Sequence, residues 1–79
     1  MIVHFENIGR NKATFDAELP SYFKQSLDAL VEEYEFLAKK CRGYLRSTPD
    51  FEVSVDGTHI GVFAGIYCVG EITLKGGRL

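Results

Sequence analysis

Residues 20–43 carry apolar side chains at the spacing of an amphipathic helix, and this pattern constrains the fold more than any other feature of the chain. Apolar residues recur at steps of three and four, which places them on one broad face of a helix. They are Phe23, Leu27, Leu30, Val31, Tyr34, Leu37, Ala38, Cys41 and Leu45. The pattern predicts one long helix, about 36 Å from end to end, laid across a core.

The ends of this predicted helix carry suitable residues. Pro20 and Ser21 are alternative first residues or caps, and Gly43 is the predicted C-terminal cap. The acidic residues of the segment precede its basic residues, as the helix dipole favours. The acidic residues are Asp28, Glu32, Glu33 and Glu35, and the basic ones are Lys39, Lys40 and Arg42.

Strand patterns lie on both sides of the helix. Residues 2–8 and the strictly alternating residues 13–19 predict an N-terminal hairpin. Residues 51–55 alternate again, and Asp56-Gly57 predicts a two-residue turn that places Val53 opposite Ile60. One or two further strands are expected within residues 63–75, with Gly65 and Gly70 as turn or bulge positions.

These elements predict an α+β fold. It is a two-layer sandwich in which one long helix packs on a mainly antiparallel sheet of four or five strands, in the order ββαββ(β). We expect residues 1–75 to form a single domain and residues 76–79 to form a flexible tail.

Composition excludes several classes of protein. A hydrophobic content of 46% excludes a disordered chain, and a net charge of −2 excludes nucleic-acid binding by bulk charge. No signal peptide or membrane span is evident, so the expected compartment is the cytoplasm. Cys41 and Cys68 are expected to be small buried thiols that do not form a disulfide.

A second apolar stripe lies away from the core face of the predicted helix. Tyr22, Ala29, Phe36 and Gly43 follow one another at seven-residue spacing. We expect Tyr22, Ala29 and Phe36 to form the centre of a protein-binding surface, because aromatic residues are enriched in interfaces. The surrounding charged residues would be Asp28, Glu32, Glu33 and Lys40. The alternative is that Tyr22 and Phe36 pack on residues 44–50 or on a sheet edge.

The predicted function is therefore that of a small non-enzymatic protein-binding module, without cofactor or metal. Phe63 and Tyr67 support this prediction, because the expected register turns them outward where nothing obvious covers them. Inhibitors and adaptors are often small acidic domains, and phage-encoded antagonists of host defence such as anti-CRISPR proteins are one such class. The partner would be another protein or a second copy of the chain in a homodimer.

A basic cluster offers a second interpretation. Lys39, Lys40, Arg42 and Arg46 could contact phosphates, and Tyr44 could stack on a base. The same cations are also explained by the C-terminal end of the helix, where the dipole favours positive charge. Nucleic-acid binding through these five residues is therefore an alternative function.

Catalytic and metal-binding patterns are sparse. His59 is expected opposite Ser54 on the outer sheet face, an arrangement that would need an orienting carboxylate to activate the hydroxyl. His4 and Glu6 share one strand face and could supply two metal ligands, with no further ligand placed by spacing. Ordinary exposed polar residues on a half-buried sheet explain both pairs.

The end of the chain resembles a known family. A hairpin, a helix, further strands and a final Leu74-Lys75-Gly76-Gly77 resemble the ubiquitin-like β-grasp layout. The resemblance implies a carrier whose Gly-Gly is activated and then conjugated or loaded with sulfur. Such a carrier would first have to lose Arg78 and Leu79.

Overall fold

The computed structural model describes residues 2–19 and 26–75, in which two strands, two short helices and three further strands follow one another, as expected for an α+β fold. The strands are β1 (Ile2–Ile8), β2 (Ala13–Glu18), β3 (Asp50–Val53), β4 (Ile60–Ala64) and β5 (Tyr67–Lys75). The helices are α1 (Leu27–Val31) and α2 (Tyr34–Cys41), and α2 continues as a 3-10 turn over Arg42–Tyr44.

All five strands pair antiparallel in one sheet of order β2-β1-β5-β4-β3. The alternation in the sequence sets the register, because a slip of one residue would turn every apolar side chain outward. Val53 lies opposite Ile60 as predicted, and Phe5 lies between Phe15 and Ile72. The predicted α+β class and its antiparallel sheet are therefore confirmed.

One face of the sheet and the two helices enclose the core. Its fully buried side chains come from β1, β4, β5 and both helices, so every layer of the sandwich contributes to it. Leu30 and Leu37, seven residues apart, carry the buried face of the helical layer. The opposite sheet face carries polar side chains such as His4, Asp16 and Glu71, and neither α1 nor α2 covers it.

The prediction of one long helix is wrong, because the helix breaks at Glu32 and Glu33. Glu33 takes φ −87° and ψ 56°, outside the helical region, and its carbonyl then accepts the first hydrogen bond of α2 from Leu37. The carboxylates of Glu32 and Glu33 are unfavourable at the negative C-terminal end of α1 but favourable at the positive N-terminal end of α2. In addition, Asp28 and Glu32 would repel each other at i,i+4 spacing in a continuous helix. The break contains no glycine or proline, so no local sequence signal indicates it.

The predicted helix ends are also different. Ser26 is extended and accepts a hydrogen bond from the N–H of Ala29 at 3.1 Å, which makes it the cap of α1. Pro20 and Ser21, the alternative starts, lie outside the described residues. Gly43 lies within the 3-10 turn and does not take the positive φ of a left-handed cap, so the predicted cap at Gly43 is wrong.

The region after Phe63 contains one turn and one bulge. Gly65 takes a positive φ of 66° in the two-residue turn between Ala64 and Tyr67, as expected for its first central residue. The register shifts by one residue near Gly70, whose φ is 156° and where a Cβ would come within 2.5 Å of Ile8. Two strands, β4 and β5, therefore follow the third.

The turn between β3 and β4 is wider than predicted. Ser54 and His59 are joined through the Ser54 N–H and the His59 carbonyl at 2.8 Å, which leaves a loop of residues 55–58. Gly57 has a positive φ of 72°, whereas Asp56 does not, so the two-residue type I′ turn does not form. Hydrogen bonds that the Asp56 carboxylate accepts from Ser54 and Thr58 stabilise the wider loop.

The turns are divided between the two ends of the sheet. The N–H of Gly9 donates to the carbonyl of Val69 at 2.9 Å, so the turn of residues 9–12 lies at the same end as the turn of residues 65–66. The segment 43–49 crosses this end on its way from α2 to β3. The loop of residues 55–58 lies at the opposite end.

Candidate functional site

The predicted protein-binding surface centred on Tyr22, Ala29 and Phe36, which we call the helix seam, is only partly exposed. Ala29 and Phe36 are both half-buried, and Phe36 packs against the core. The ammonium group of Lys40 lies 5.7 Å from the centroid of the Phe36 ring, a cation–π distance. Tyr22, the third aromatic or apolar member of the predicted centre, lies outside the described residues.

The charged residues predicted around the seam have different positions. Asp28, Glu32 and Lys40 are exposed, whereas Glu33 is half-buried at the break between the helices. Because the helix breaks between α1, which carries Ala29, and α2, which carries Phe36, the predicted stripe does not lie on one continuous helix. The binding role of these residues stays a prediction.

The predicted nucleic-acid cluster divides into two parts. Lys39 and Lys40 are exposed on α2, whereas Tyr44, at the end of the 3-10 turn, and Arg46, just after it, line a cleft at the end of the sheet. Tyr44 is 44% exposed, and its ring stacks on Phe15 with the centroids 5.0 Å apart. One face of Tyr44 is therefore used inside the protein. Arg42 is exposed beside this cleft and lines a smaller neighbouring cleft of about 240 Å³.

The larger cleft is the main concave feature at this end, and we call it the basic cleft. It holds about 580 Å³ between the turn of residues 9–11, residues 43–47 and the ends of β4 and β5. Arg10 and Arg46 are its charged residues, and no carboxylate lines it. Leu45, Ala64 and Val69 supply apolar lining.

Close backbone packing fixes two walls of the basic cleft. Gly9 has a positive φ of 77°, and a Cβ there would collide with the backbone carbonyl of Tyr44. The turn that carries Arg10 is thus pressed directly against the segment that carries Arg46. Glycine is required at this contact by both its φ and the space available.

Two apolar side chains project beside the basic cleft, and we call them the apolar tip. Ile66, in the turn between β4 and β5, is 87% exposed, and Tyr67 is 72% exposed. Tyr67 pairs with Ala64, which lines the cleft, so the tip extends directly from the cleft wall. The outward exposure predicted for Tyr67 is confirmed, whereas Phe63 is half-buried beside Gly61.

The outer face of the sheet holds both histidines in polar pairs. Nδ1 of His4 lies 2.6 Å from Asp16 and Nε2 lies 3.6 Å from Glu6, while Nε2 of His59 lies 3.9 Å from Glu71. Within residues 2–19 and 26–75, no group of three or more histidine, cysteine or acidic side chains has the geometry to hold a metal ion.

The expected Ser54–His59 pair does not form a catalytic dyad. The Ser54 hydroxyl donates to Oδ1 of Asp56 at 2.7 Å and accepts backbone N–H groups of Thr58 and His59. The His59 ring instead contacts the Thr58 hydroxyl at 3.1 Å. Since that hydroxyl gives its only proton to Asp56, it accepts from Nδ1–H of His59. These hydrogen bonds show that Ser54, Asp56 and Thr58 stabilise the turn between β3 and β4.

The two cysteines have different environments. Cys41 is fully buried, and burial raises the pKa of its thiol to about 11, so the thiol stays protonated at neutral pH. Cys68 is exposed on the outer face, where its Sγ lies 3.5 Å from the Gly70 carbonyl. The prediction of a buried thiol is confirmed for Cys41 and wrong for Cys68, and neither forms a disulfide.

The sequence did not indicate Arg10 or Ile66 as site residues. Arg10 lies far from residues 43–47 in the chain, and only the pairing of β1 with β5 brings its turn to the cleft. Ile66 did carry a signal, because a β-branched apolar residue directly after a turn glycine is unusual where polar residues predominate. The Gly-Gly of the predicted carrier lies outside the described residues.

No family model, curated protein or solved structure matches the chain. Across the parts of the chain that the structure describes, no helix has the length and apolar character needed to cross a lipid bilayer.

Proposed function

We propose that the chain is a small protein-binding module without catalytic activity, which acts as an inhibitor or adaptor by docking on another protein. The apolar tip is the observation that carries this proposal. Ile66 and Tyr67 lie outside the core cluster and are almost fully exposed, so they contribute little to folding. Exposed apolar and aromatic side chains that adjoin a cleft are typical of protein interfaces.

The surroundings of the apolar tip match the anatomy of an interface. A productive interface combines apolar anchors with a polar rim that excludes water from them. Ile66 and Tyr67 provide the anchors, and Arg10, Arg46 and the half-exposed Tyr44 lie along the adjoining cleft. The proposed docking surface is therefore the end of the sheet where the turns of residues 9–12 and 65–66 meet.

The helix seam is the second candidate surface within the same function. Ala29 and Phe36 offer less free apolar area than the tip, because both are half-buried. The exposed Asp28 and Glu32 and the half-buried Glu33 leave that side of the molecule strongly acidic. We therefore assign the principal contact to the apolar tip, and the helix seam is the competing surface that Phe36→Glu tests.

Affinity capture with three forms of the chain tests the proposal. Ile66→Ser removes an apolar side chain from the tip, and Val55→Ser makes a matched change at the fully exposed Val55, at the opposite end of the sheet. Both variants should fold like the wild type, because neither residue belongs to the core. A protein retained by wild type and Val55→Ser but lost by Ile66→Ser is expected. Equal retention by both variants would contradict the proposal.

Self-association is the alternative form of docking, and light scattering after size exclusion separates it from a foreign partner. A monomer mass at all concentrations supports binding to a different protein. A wild-type dimer that becomes a folded monomer in Ile66→Ser would instead place the tip in a homodimer. A dimer unaffected by Ile66→Ser would argue against the tip in either form.

A further inference from the structure

We propose that the basic cleft binds an acidic segment of the partner protein, and that an apolar side chain of that segment rests on Ile66 and Tyr67. The inference depends on the proposed function and specifies the chemistry of the partner at the same site. Charge distribution, the lining of the cleft and the position of the tip each support it.

The described basic side chains fall in two segments of the chain and lack carboxylate partners. Every lysine and arginine whose side chain is described falls within residues 10–12 or 39–46. None of them forms an ion pair with a carboxylate in the described part of the chain, where each recorded ion pair involves a histidine. Even Glu35 and Lys39, at favourable i,i+4 spacing, do not come within bonding distance. These cations are therefore free to pair with an external anion.

The lining of the basic cleft suits carboxylates attached to an apolar chain. Arg10 and Arg46 both line the cleft, and a guanidinium group can bind a carboxylate through two parallel hydrogen bonds. Leu45, Ala64 and Val69 add apolar residues to the same lining. A segment that alternates acidic and apolar residues would match both parts of this surface.

Nucleic acid fits the same end less well. The outer face and the helical layer carry many exposed carboxylates, including Glu6, Glu52 and Glu71, which would repel a long polyanion. Ile66 offers nothing to a phosphate backbone, whereas it would contact an apolar side chain of a peptide. A short acidic segment can reach the cleft without passing over the acidic faces.

A second copy of the chain is also a poorer occupant. Its acidic helical face could approach the basic cleft, but this contact would join two different surfaces of the molecule. Such a heterologous contact closes only if its rotation forms a ring, and otherwise it builds open filaments. A foreign acidic segment satisfies the cleft without this constraint.

Selection from random peptides tests the inference without knowledge of the natural partner. Phage displaying peptides of about 12 residues are selected on the immobilised wild-type chain, and affinities of enriched peptides are then measured by fluorescence anisotropy. Enriched peptides are expected to contain Asp or Glu next to a large apolar residue. Their binding should weaken by about tenfold in Arg10→Gln/Arg46→Gln, and it should weaken as salt is raised.

A matched variant controls for overall charge. Lys39→Gln/Lys40→Gln removes the same two charges from α2, away from the cleft, and it should retain the affinity. Circular dichroism and the melting temperature should be unchanged in both double variants, because all four side chains are exposed.

The possible failures are distinguishable. Absence of enrichment, peptides without acidic residues, or equal losses in both double variants would overturn the acidic-segment inference. If the Ile66-dependent protein capture still holds in that case, the proposed function stands and only the chemistry of the partner is wrong. Binding of single-stranded DNA that is tighter than that of any peptide, with no protein captured, would overturn both.

Discussion

Asp56 shows how a single exposed residue can organise the turn that joins β3 to β4. Its Oδ1 accepts hydrogen bonds from the Ser54 hydroxyl at 2.7 Å, the Thr58 hydroxyl at 2.8 Å and the Thr58 N–H at 3.1 Å. These bonds, the one from the Ser54 hydroxyl most of all, lower the pKa of the Asp56 carboxyl from 3.8 to about 2. The ionised form is the one that the fold prefers.

The lowered pKa of Asp56 predicts a pH-dependent stability. Because the folded-state pKa lies below the ordinary value, the carboxylate stabilises the fold above pH 3.8, and this contribution is lost as the pH falls through about 2. Asp56→Asn should therefore unfold at lower urea concentration than wild type at pH 7, and the difference should shrink towards pH 2. Urea melts at several pH values measure this.

A matched substitution gives the control for Asp56. Asp50→Asn removes an exposed carboxylate in edge strand β3 that makes no hydrogen bond to the described residues. Its urea midpoint should follow that of wild type across the same pH range. Parallel behaviour of both variants at every pH would show that Asp56 has no special role in the turn.

Cys68 illustrates what residue patterns cannot show. In a regular strand, side chains alternate between the two faces, so a uniform period of two would decide whether Cys68 is buried or exposed. The register shift beside Gly70 interrupts this alternation and changes which residues share a face. The bulge depends on how closely β5 approaches the Asn7 and Glu6 carbonyls of β1, a long-range contact. Cys41 was predictable because its position on α2 follows the helical period.

At the scale of elements, the strands were predictable and the helix was not. Clear alternation placed the strands, and the apolar pairing of Phe51 and Val53 with β4 defined their register. The helical period also predicted Leu30 and Leu37 as core residues correctly. It could not predict the break at Glu33, because separate helices that bury the same face produce almost the same apolar spacing.

Phe36 provides the test of the helical layer. Since its ring packs against the core and beneath Lys40, Phe36→Glu should lower the free energy of unfolding by about 1–3 kcal/mol. The control Lys39→Glu lies at an exposed position of the same helix and should change it by less than about 0.5 kcal/mol. Urea denaturation followed by circular dichroism gives both values.

The result for Phe36→Glu also distinguishes between the apolar tip and the helix seam as the docking surface. The sequence pattern predicts that Phe36→Glu abolishes partner binding and leaves stability nearly unchanged. The packing of Phe36 predicts the reverse, with reduced stability and retained binding by the molecules that stay folded. Unchanged stability together with lost binding would move the docking surface from the apolar tip to the helix.

At the scale of the whole molecule, the candidate site depends on the sheet topology. Arg42, Tyr44 and Arg46 were identifiable as a basic cluster with an aromatic residue from the sequence alone. Their association with Arg10 and Ile66 arises because β5 lies between β1 and β4, which brings two turns to one end of the sheet. A local sequence pattern cannot show that these residues are neighbours, because their proximity depends on the complete strand order.

The strand order also separates the charges. The four arginine and lysine residues outside α2 whose side chains are described (Arg10, Lys12, Arg42 and Arg46) lie in the segments at the end that holds the cleft, whereas many carboxylates occupy the outer sheet face and the start of the helical layer. A net charge of −2 conceals this division, because it averages surfaces of opposite sign. The molecule is thus expected to approach a partner with its cleft end first when that partner presents negative charge.

Site-specific photo-crosslinking in cells shows whether the apolar tip is the surface that contacts a partner protein. A photoreactive phenylalanine analogue is placed at position 67 in the apolar tip and, in separate samples, at the exposed position 55 and at position 36. We expect a covalent adduct with a partner protein from position 67 and none from position 55. Adducts from position 36 alone, or equal adducts from positions 55 and 67, would contradict it.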